Sequence, residues 1–488
     1  MKVRCRTTCQ TCRSRKIGCD GKTPSCTQCL FRNVECPGYS SNWIFVPQNR
    51  LAAPHATPWG DSPALAEKKA ISNRAGLKSK RRGGKPATSR STAFNKPDAR
   101  SLGDLIDIIL QGYVPGLDVA ASIDETTPRI CGAWAEVLPE LVSNGANAAM
   151  ASAIKAFALS ILVGGQNPGL DKTAAIEAYS SALRSVSEAI QAPHGSPAPE
   201  LVAAVMCLLF AELFLPTSLE SWTTHLEGLG ELMQTCRPEA YVGGIPHRLF
   251  VGARPALIVL GIQSRKPSFL ARDEWRLTPF REICPSPVQA LMSEAAIIPS
   301  ILEKLDQTRR MTPESSKAAC NGVLTELNGL LERLDLWATN FLSLSAAAQF
   351  WYEPTREAGR ERIWFVNLTA ANGLTHFWAF KAICLTNVER VLVLHPDMAS
   401  EIRVAQPSIL EEMKQLSVMI CQSVEYLMQG QMKLFGPTSV VLPLQTAYEI
   451  FRMGGAQTKD ELNWCREILR VVFRGYHFLA LFFEEFRN

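Results

Sequence analysis

Residues Cys9–Cys36 read CQTCRSRKIGCDGKTPSCTQCLFRNVEC, and the placement of sulfur in this stretch decides what the N-terminal part of the chain is. The cysteines Cys9, Cys12 and Cys19 follow C-x2-C-x6-C, and Cys26, Cys29 and Cys36 follow the same spacing 17 residues later. The two halves are separated by a six-residue spacer. Structural Zn²⁺ takes four tetrahedral ligands, and thiolate is a preferred one. Each half supplies only three. Two ions need eight positions and six thiolates fill six, so one bridging cysteine from each half closes the count at eight. No histidine is required, and none occurs before His55. Cys5 lies outside the repeat and reads as a free thiol.

The competing readings of the sulfur are weaker. A disulfide framework needs an oxidising compartment. Met1–Gln10 is charged and polar where a secretory signal needs an apolar stretch. The chain is therefore expected to be intracellular, with reduced thiols. A redox C-x-x-C expects a strand–helix–strand setting, whereas here the motif occurs twice among basic residues.

Residues 9–36 resemble the fungal binuclear zinc cluster regulators, the Zn₂Cys₆ class of transcription factors. The likeness covers all six cysteines, the basic run Arg13-Ser14-Arg15-Lys16 and Pro24 in the spacer. It implies Cys9, Cys12, Cys19, Cys26, Cys29 and Cys36 as ligands of two Zn²⁺ ions, with Cys9 and Cys26 bridging. It also implies double-stranded DNA as the partner, CGG-type triplets as the target and the nucleus as the location.

Two Zn²⁺ and six thiolates carry a formal charge of about −2, which nearby cations must offset before the cluster can approach phosphate. Arg13, Arg15, Lys16, Lys22 and Arg32 are the candidate DNA-contacting residues. A helix starting near Cys12 puts Arg13 and Lys16 on one face. Modules of this class place such a helix in the major groove, where Arg and Lys match guanine O6 and N7. The resemblance makes Lys16 the leading base reader and Arg15 its neighbour. The second half carries Leu30, Phe31 and Val34 where the first is basic, so it is expected to pack against the first as support, with Arg32 touching backbone at most.

Charge divides the chain in the same way. Residues 1–100 hold 20 Lys and Arg against 5 Asp and Glu, while the whole chain nets only +5, so the rest is acidic. A basic head on an acidic body points to a polyanion-binding end. After the last cysteine the composition turns to Pro, Ala, Gly and Ser, a flexible linker. Lys78, Lys80, Arg81, Arg82 and Lys85 form its densest basic patch and are the nuclear import candidate. Positions 40–100 show no sustained heptad, so any dimer contact is expected in the body.

From about residue 101 the apolar pattern is helical. Ile176, Tyr179, Leu183, Val186 and Ile190 recur at helical spacing, as do Trp222, Leu226, Leu229 and Met233, and Met413, Leu416, Ile420, Val424 and Leu427. Ser408 with Glu411, and Thr458 with Glu461, fit capping boxes, and Pro313 suits a first helical position. The apolar run Leu201–Leu215 is too short to span a bilayer and contains Glu212, so it reads as a buried helix and no membrane partner is expected. The eight cysteines from Cys131 to Cys465 lack ligand spacing and read as small core residues. His225, beside Trp222 and Leu229 in spacing, reads as a buried, hydrogen-bonded histidine. The stretch 198–233 resembles the helical regulatory domain found behind such clusters.

The expected architecture is mostly α: a zinc cluster module at 5–40, a linker at 41–100 and an all-helical body at 101–488. No catalytic motif is present, so the chain is not expected to be an enzyme. Its further candidate partners are a second copy of itself, a regulatory protein or a small-molecule effector. The rival reading is an enzyme or metabolite sensor with the cluster as an appendage, and a third is an accessory protein whose cluster binds protein.

Overall fold

The computed structural model describes residues 11, 12, 15, 26–32, 34, 36, 100–116, 131–145, 147–164, 172–191, 198–218, 220–344, 348–354, 361–401 and 406–483. They fall into two units, Met1–Ser91 and Thr92–Asn488. In the first, Thr11 and Cys12 are helical, and a short helix α1 (Thr27–Phe31) follows Cys26.

The second unit is helical because its apolar residues recur with a helical period. It opens at α2 (Leu102–Tyr113) with a capping box: Asp104 N–H donates to Ser101 Oγ, and Ser101 N–H donates back to Asp104 Oδ2. There follow α3 (Ala148–Gly164), α4 (Lys172–Gln191), α5 (Pro199–Phe214), α6 (Ser221–Gln234) and α7 (Gly244–Ser264). Then come α8 (Pro287–Ala295), α9 (Ile298–Thr308), α10 (Pro313–Ser343), α11 (Leu368–Leu394), α12 (Gln406–Leu427), α13 (Val441–Met453) and α14 (Lys459–Gly475), with short helical turns between.

Two helices form the centre. α5 packs on α3, α4, α6 and α7, so every residue from Leu201 to Phe214 is buried. That enclosure is why its sequence is apolar all round instead of on one stripe. α11 plays the same part for α8, α10, α12 and α13. The buried helix expected at 201–215 is therefore present. Among the described residues, α7 is one helix long and apolar enough to cross a membrane by length and composition. It carries Arg254, fully buried in the protein core.

α7 also contains Pro255, which has no N–H for the carbonyl of Val251 one turn earlier. Gln289 of α8 fills the gap: its Nε2 donates to Val251 O at 3.3 Å, and its Oε1 accepts from Arg254 Nη1 at 2.7 Å. A proline inside one helix thus explains a buried glutamine on another.

The expected stripes are present with one shift. Leu226, Leu229 and Met233 of α6 are fully buried, each contributing about 1.5–3 kcal/mol of apolar transfer. All five positions expected on α12 are buried as well. On α4, however, Ile176 and Ile190 are 45% and 46% exposed, and the buried stripe is Ala175, Tyr179, Ala182 and Val186. Small alanines face α3 and α5 there, which lets the helices approach closely.

Helix starts were legible to different degrees. Pro313 opens α10 behind Thr312, as expected. Thr458 is the residue before α14, but its hydroxyl donates to Phe451 O at 2.6 Å, and Glu461 pairs with Lys414 at 2.8 Å, so no capping box forms. Ser408 lies inside α12, which begins at Gln406.

One feature departs from an all-helical body. Phe350–Pro354 (β1) and Glu361–Phe365 (β2) form an antiparallel hairpin in which Phe350 faces Phe365 and Tyr352 faces Ile363. Ile363 and Phe365 are buried, and Phe365 packs edge-on against Tyr426 of α12 with ring centroids 5.2 Å apart. Of the later cysteines, Cys207, Cys320, Cys384, Cys421 and Cys465 are buried core residues, whereas Cys236 is half-buried and Cys284 is exposed.

Candidate metal centre

The site grows from local helix chemistry. Cys26 precedes α1 with an extended backbone (φ −70°, ψ 150°), and its Sγ accepts a hydrogen bond from Cys29 N–H at 3.4 Å. A C-x2-C pair at a helix start therefore turns both thiols the same way, the second one turn into the helix. The backbone contact fixes the direction of the first sulfur. The first half shows the same beginning: Thr11 and Cys12 are helical, and Arg15 N–H donates to Thr11 O at 3.2 Å.

The tertiary fold then joins the halves. Cys12 Sγ lies 3.6 Å from Cys26 Sγ. The sulfurs of Cys12, Cys26 and Cys29 all lie within 4.8 Å of one another, and all three residues are buried. A disulfide has sulfurs about 2.05 Å apart, so at 3.6 Å the two sulfurs are not joined by a disulfide. Two thiolates on one tetrahedral zinc, each at about 2.3 Å, lie about 3.8 Å apart. The donor set therefore fits zinc in chemistry and in spacing. Among the described residues this is the grouping of three Cys, His, Asp or Glu donors close enough to share an ion.

Val34 and the half-buried Cys36 pack against these thiols. Val34 N–H donates to Cys29 O at 3.1 Å, which folds the chain back after α1. Val34 thus supports the cluster as expected, but Leu30 does not, being 66% exposed. Arg15 and Arg32 are exposed. Cys9, Cys19, Arg13, Lys16, Lys22 and the import candidates Lys78, Lys80, Arg81, Arg82 and Lys85 lie outside the described residues.

Outside this unit a few titratable groups are built into the core, among them Glu212, His225 and His376. Tyr179 Oη lies 2.6 Å from His225 Nε2, one of the two donating according to the imidazole tautomer. Burial holds the His225 imidazole down at about 4. The expected buried, hydrogen-bonded histidine is what the fold contains. Glu212 of α5 is buried beside this pair and accepts from Thr217 N–H at 2.6 Å and from Ser218 N–H at 3.2 Å. Burial first, then the Glu212 charge, pushes the Tyr179 phenol far above its ordinary range. His376 donates from Nδ1 to Asn372 O at 2.8 Å, and burial holds it at about 4. The Glu212–Tyr179–His225 arrangement was not legible along the chain, because its members come from three helices.

Residues 7–42 match the fungal Zn(2)-Cys(6) binuclear cluster domain. No curated protein matches the chain, and no solved structure does. Domains of this kind bind two zinc ions and belong to transcription factors. By cysteine spacing, by the buried thiols that join its two halves and by this match, the N-terminal segment of the chain is a fungal Zn(2)-Cys(6) binuclear cluster domain, the DNA-binding module of zinc cluster transcription regulators.

Proposed function

We propose that the protein is a nuclear, sequence-specific transcription regulator in which Cys9, Cys12, Cys19, Cys26, Cys29 and Cys36 hold two Zn²⁺ ions and present a cationic helix to the major groove. The observation that carries this reading is that one thiol of the first half, Cys12, and two of the second, Cys26 and Cys29, converge on a single buried point. Two independent three-cysteine sites would keep the halves apart. A shared cluster needs a sulfur that faces both, and Cys26 touches Cys12 on one side and its own helix partner Cys29 on the other.

In this reading Lys16 reads base edges of a CGG-type triplet, with Arg15 beside it, and Arg13, Lys22 and Arg32 engage phosphate. Exposure of Arg15 and Arg32 agrees with contact to an outside polyanion. The module occupies 5–40, the linker 41–100 carries the import signal, and the helical body at 101–488 sets activity by binding a partner or small molecule. Catalysis has no part in this function.

Selection of bound sites from random duplexes by the zinc-loaded full chain tests the proposal. It should return a CGG-like triplet and its spacing, and chelating the zinc should abolish the enrichment. Equal enrichment by metal-free protein, or none by the zinc form under low salt, would overturn it. A gel shift that does not weaken as salt rises would also contradict phosphate contact by the basic residues.

A further inference from the structure

The connection from α9 to α10 reads Arg309-Arg310-Met311-Thr312, with Pro313-Glu314-Ser315 opening α10. All seven of these residues are exposed. Even Met311 is 43% exposed, although an apolar side chain in a connection ordinarily turns inward. The backbone bonds Arg310 N–H to Gln307 O and Met311 N–H to Thr308 O close the last turn of α9.

Thr312 stands at the N-cap of α10 with an extended backbone (φ −64°, ψ 154°), because the Pro313 ring disfavours a helical residue before it. A threonine at this position usually accepts from a first-turn N–H. Thr312 does not: its side chain caps no backbone group, and Oγ1 donates to Ser315 Oγ at 3.1 Å instead. Among the described residues nothing accepts from the N–H groups of Glu314 and Ser315. The hydroxyl is therefore exposed, held in extended chain and free of any backbone bond.

A hydroxyl directly before proline is the acceptor that proline-directed serine/threonine kinases take. The described residues contain three such pairs, and the fold separates them. Thr278, before Pro279, is buried. Ser286, before Pro287, is half-buried, and its Oγ accepts from Gln289 N–H at 3.3 Å. Of the three, Thr312 is the one presented to a second protein.

The surroundings also suit the product. A phosphothreonine carries about −1.5 to −2 charges at neutral pH and three strong acceptor oxygens. At the start of a 31-residue helix it meets unpaired N–H groups and the positive end of the helix dipole. Arg309 and Arg310, three and two residues earlier, are exposed cations that make no ion pair among the described residues. Glu314, in the first turn, is the opposing charge. Two arginines against one carboxylate leave the balance attractive.

We propose that Thr312 is a phosphorylation site for a proline-directed serine/threonine kinase, and that its phosphate caps α10. Thr312 Oγ1 attacks the γ-phosphorus of ATP held by the kinase. The new O–P bond forms as the bond to the β,γ-bridging oxygen breaks, ADP leaves, and the hydroxyl proton passes to a base of the kinase. The site lies on the helical body and needs neither zinc nor DNA, so its failure is separate from failure of the zinc-cluster reading.

Incubation of the zinc-loaded full chain with a purified mitogen-activated protein kinase and ATP, followed by peptide mass spectrometry, tests the site. Phosphate should map to Thr312 and be absent from Thr278 and Ser286. Thr312→Ser should keep it, and Pro313→Ala should lose it although the hydroxyl remains. A synthetic peptide of residues 306–318 serves as the unfolded control. Modification of the peptide without modification of Thr312 in the folded chain would overturn the proposal, as would transfer to neither. Transfer to Thr312 by an arginine-directed kinase alone would overturn the assignment of kinase class. Hydrogen exchange reads the cap: the first turn of α10 should exchange more slowly after phosphorylation, and phosphatase should restore the original rate. Thr312→Ala, treated in the same way, separates this effect from phosphate placed elsewhere. Unchanged exchange in the phosphorylated parent chain would overturn the capping role.

Discussion

Cys12 Sγ and Cys26 Sγ lie 3.6 Å apart although 14 residues separate them, close to the edge of a zinc–thiolate tetrahedron. The contact joins the two C-x2-C-x6-C halves through sulfur. Cys26 Sγ also accepts from Cys29 N–H, so this sulfur contacts both halves.

The first prediction concerns that residue. With Cys26 in the proposed bridging role, Cys26→Ser should lose both zincs, because a shared sulfur is a ligand to each, while the parent chain should hold about two. Cys36→Ser, at the edge of the cluster, should retain more metal than Cys26→Ser. Elemental analysis of the purified full chain reads the difference. The helical circular dichroism should persist in both variants, because the body has its own core.

Lys16→Ala is expected to cost about 1–3 kcal/mol at the preferred triplet and little elsewhere, since a base contact discriminates while a phosphate contact does not. Competition binding against scrambled duplexes measures it. A uniform loss across sequences would place Lys16 on the backbone instead.

Stability of the body should depend on pH through its buried histidines. His225 and His376 are both held at about 4, against 6.5 when exposed, so the unfolded chain binds their protons first. Their stabilisation of the neutral fold is complete above about pH 6.5 and is lost progressively as pH falls towards 4, by about 3 kcal/mol each. Denaturant midpoints between pH 4 and 7 should show this slope. Replacing His225 by Gln should remove roughly half of it, and an unchanged profile would exclude His225 as a source.

Gln289→Leu should destabilise the body by about 2–4 kcal/mol. It removes the donor that serves Val251 O above Pro255, and the acceptor for Arg254 Nη1, from a dry interface. Pairing it with Pro255→Ala, which restores the helical N–H, should recover part of the loss. Full additivity of the two changes in denaturant unfolding would show that Gln289 and Pro255 are not coupled.

Several elements were legible because their signals are local. A repeated cysteine spacing needs only the linear chain, and the α6 and α12 stripes follow from a period of 3.6 residues. Where packing decides, local signals misled. Alanines and not isoleucines face inward on α4, because closely approached helices favour small side chains. Thr458 caps nothing, because its hydroxyl finds Phe451 O first. The two strands of the hairpin, Phe350–Pro354 and Glu361–Phe365, are five residues each and pack on Trp378 of the next helix and Tyr426 of the one after, contacts that no local alternation announced.

The sequence alone determined that six sulfurs come in two matched triplets and that the chain from about residue 101 is mostly helical, since both are properties of spacing along a backbone. Only the tertiary structure decided which sulfurs touch and which buried polar groups are satisfied: Cys12 against Cys26, Gln289 beneath Pro255, Tyr179 on His225. Those pairings join segments whose separation along the chain carries no periodic signal, and the closing of the core fixes them.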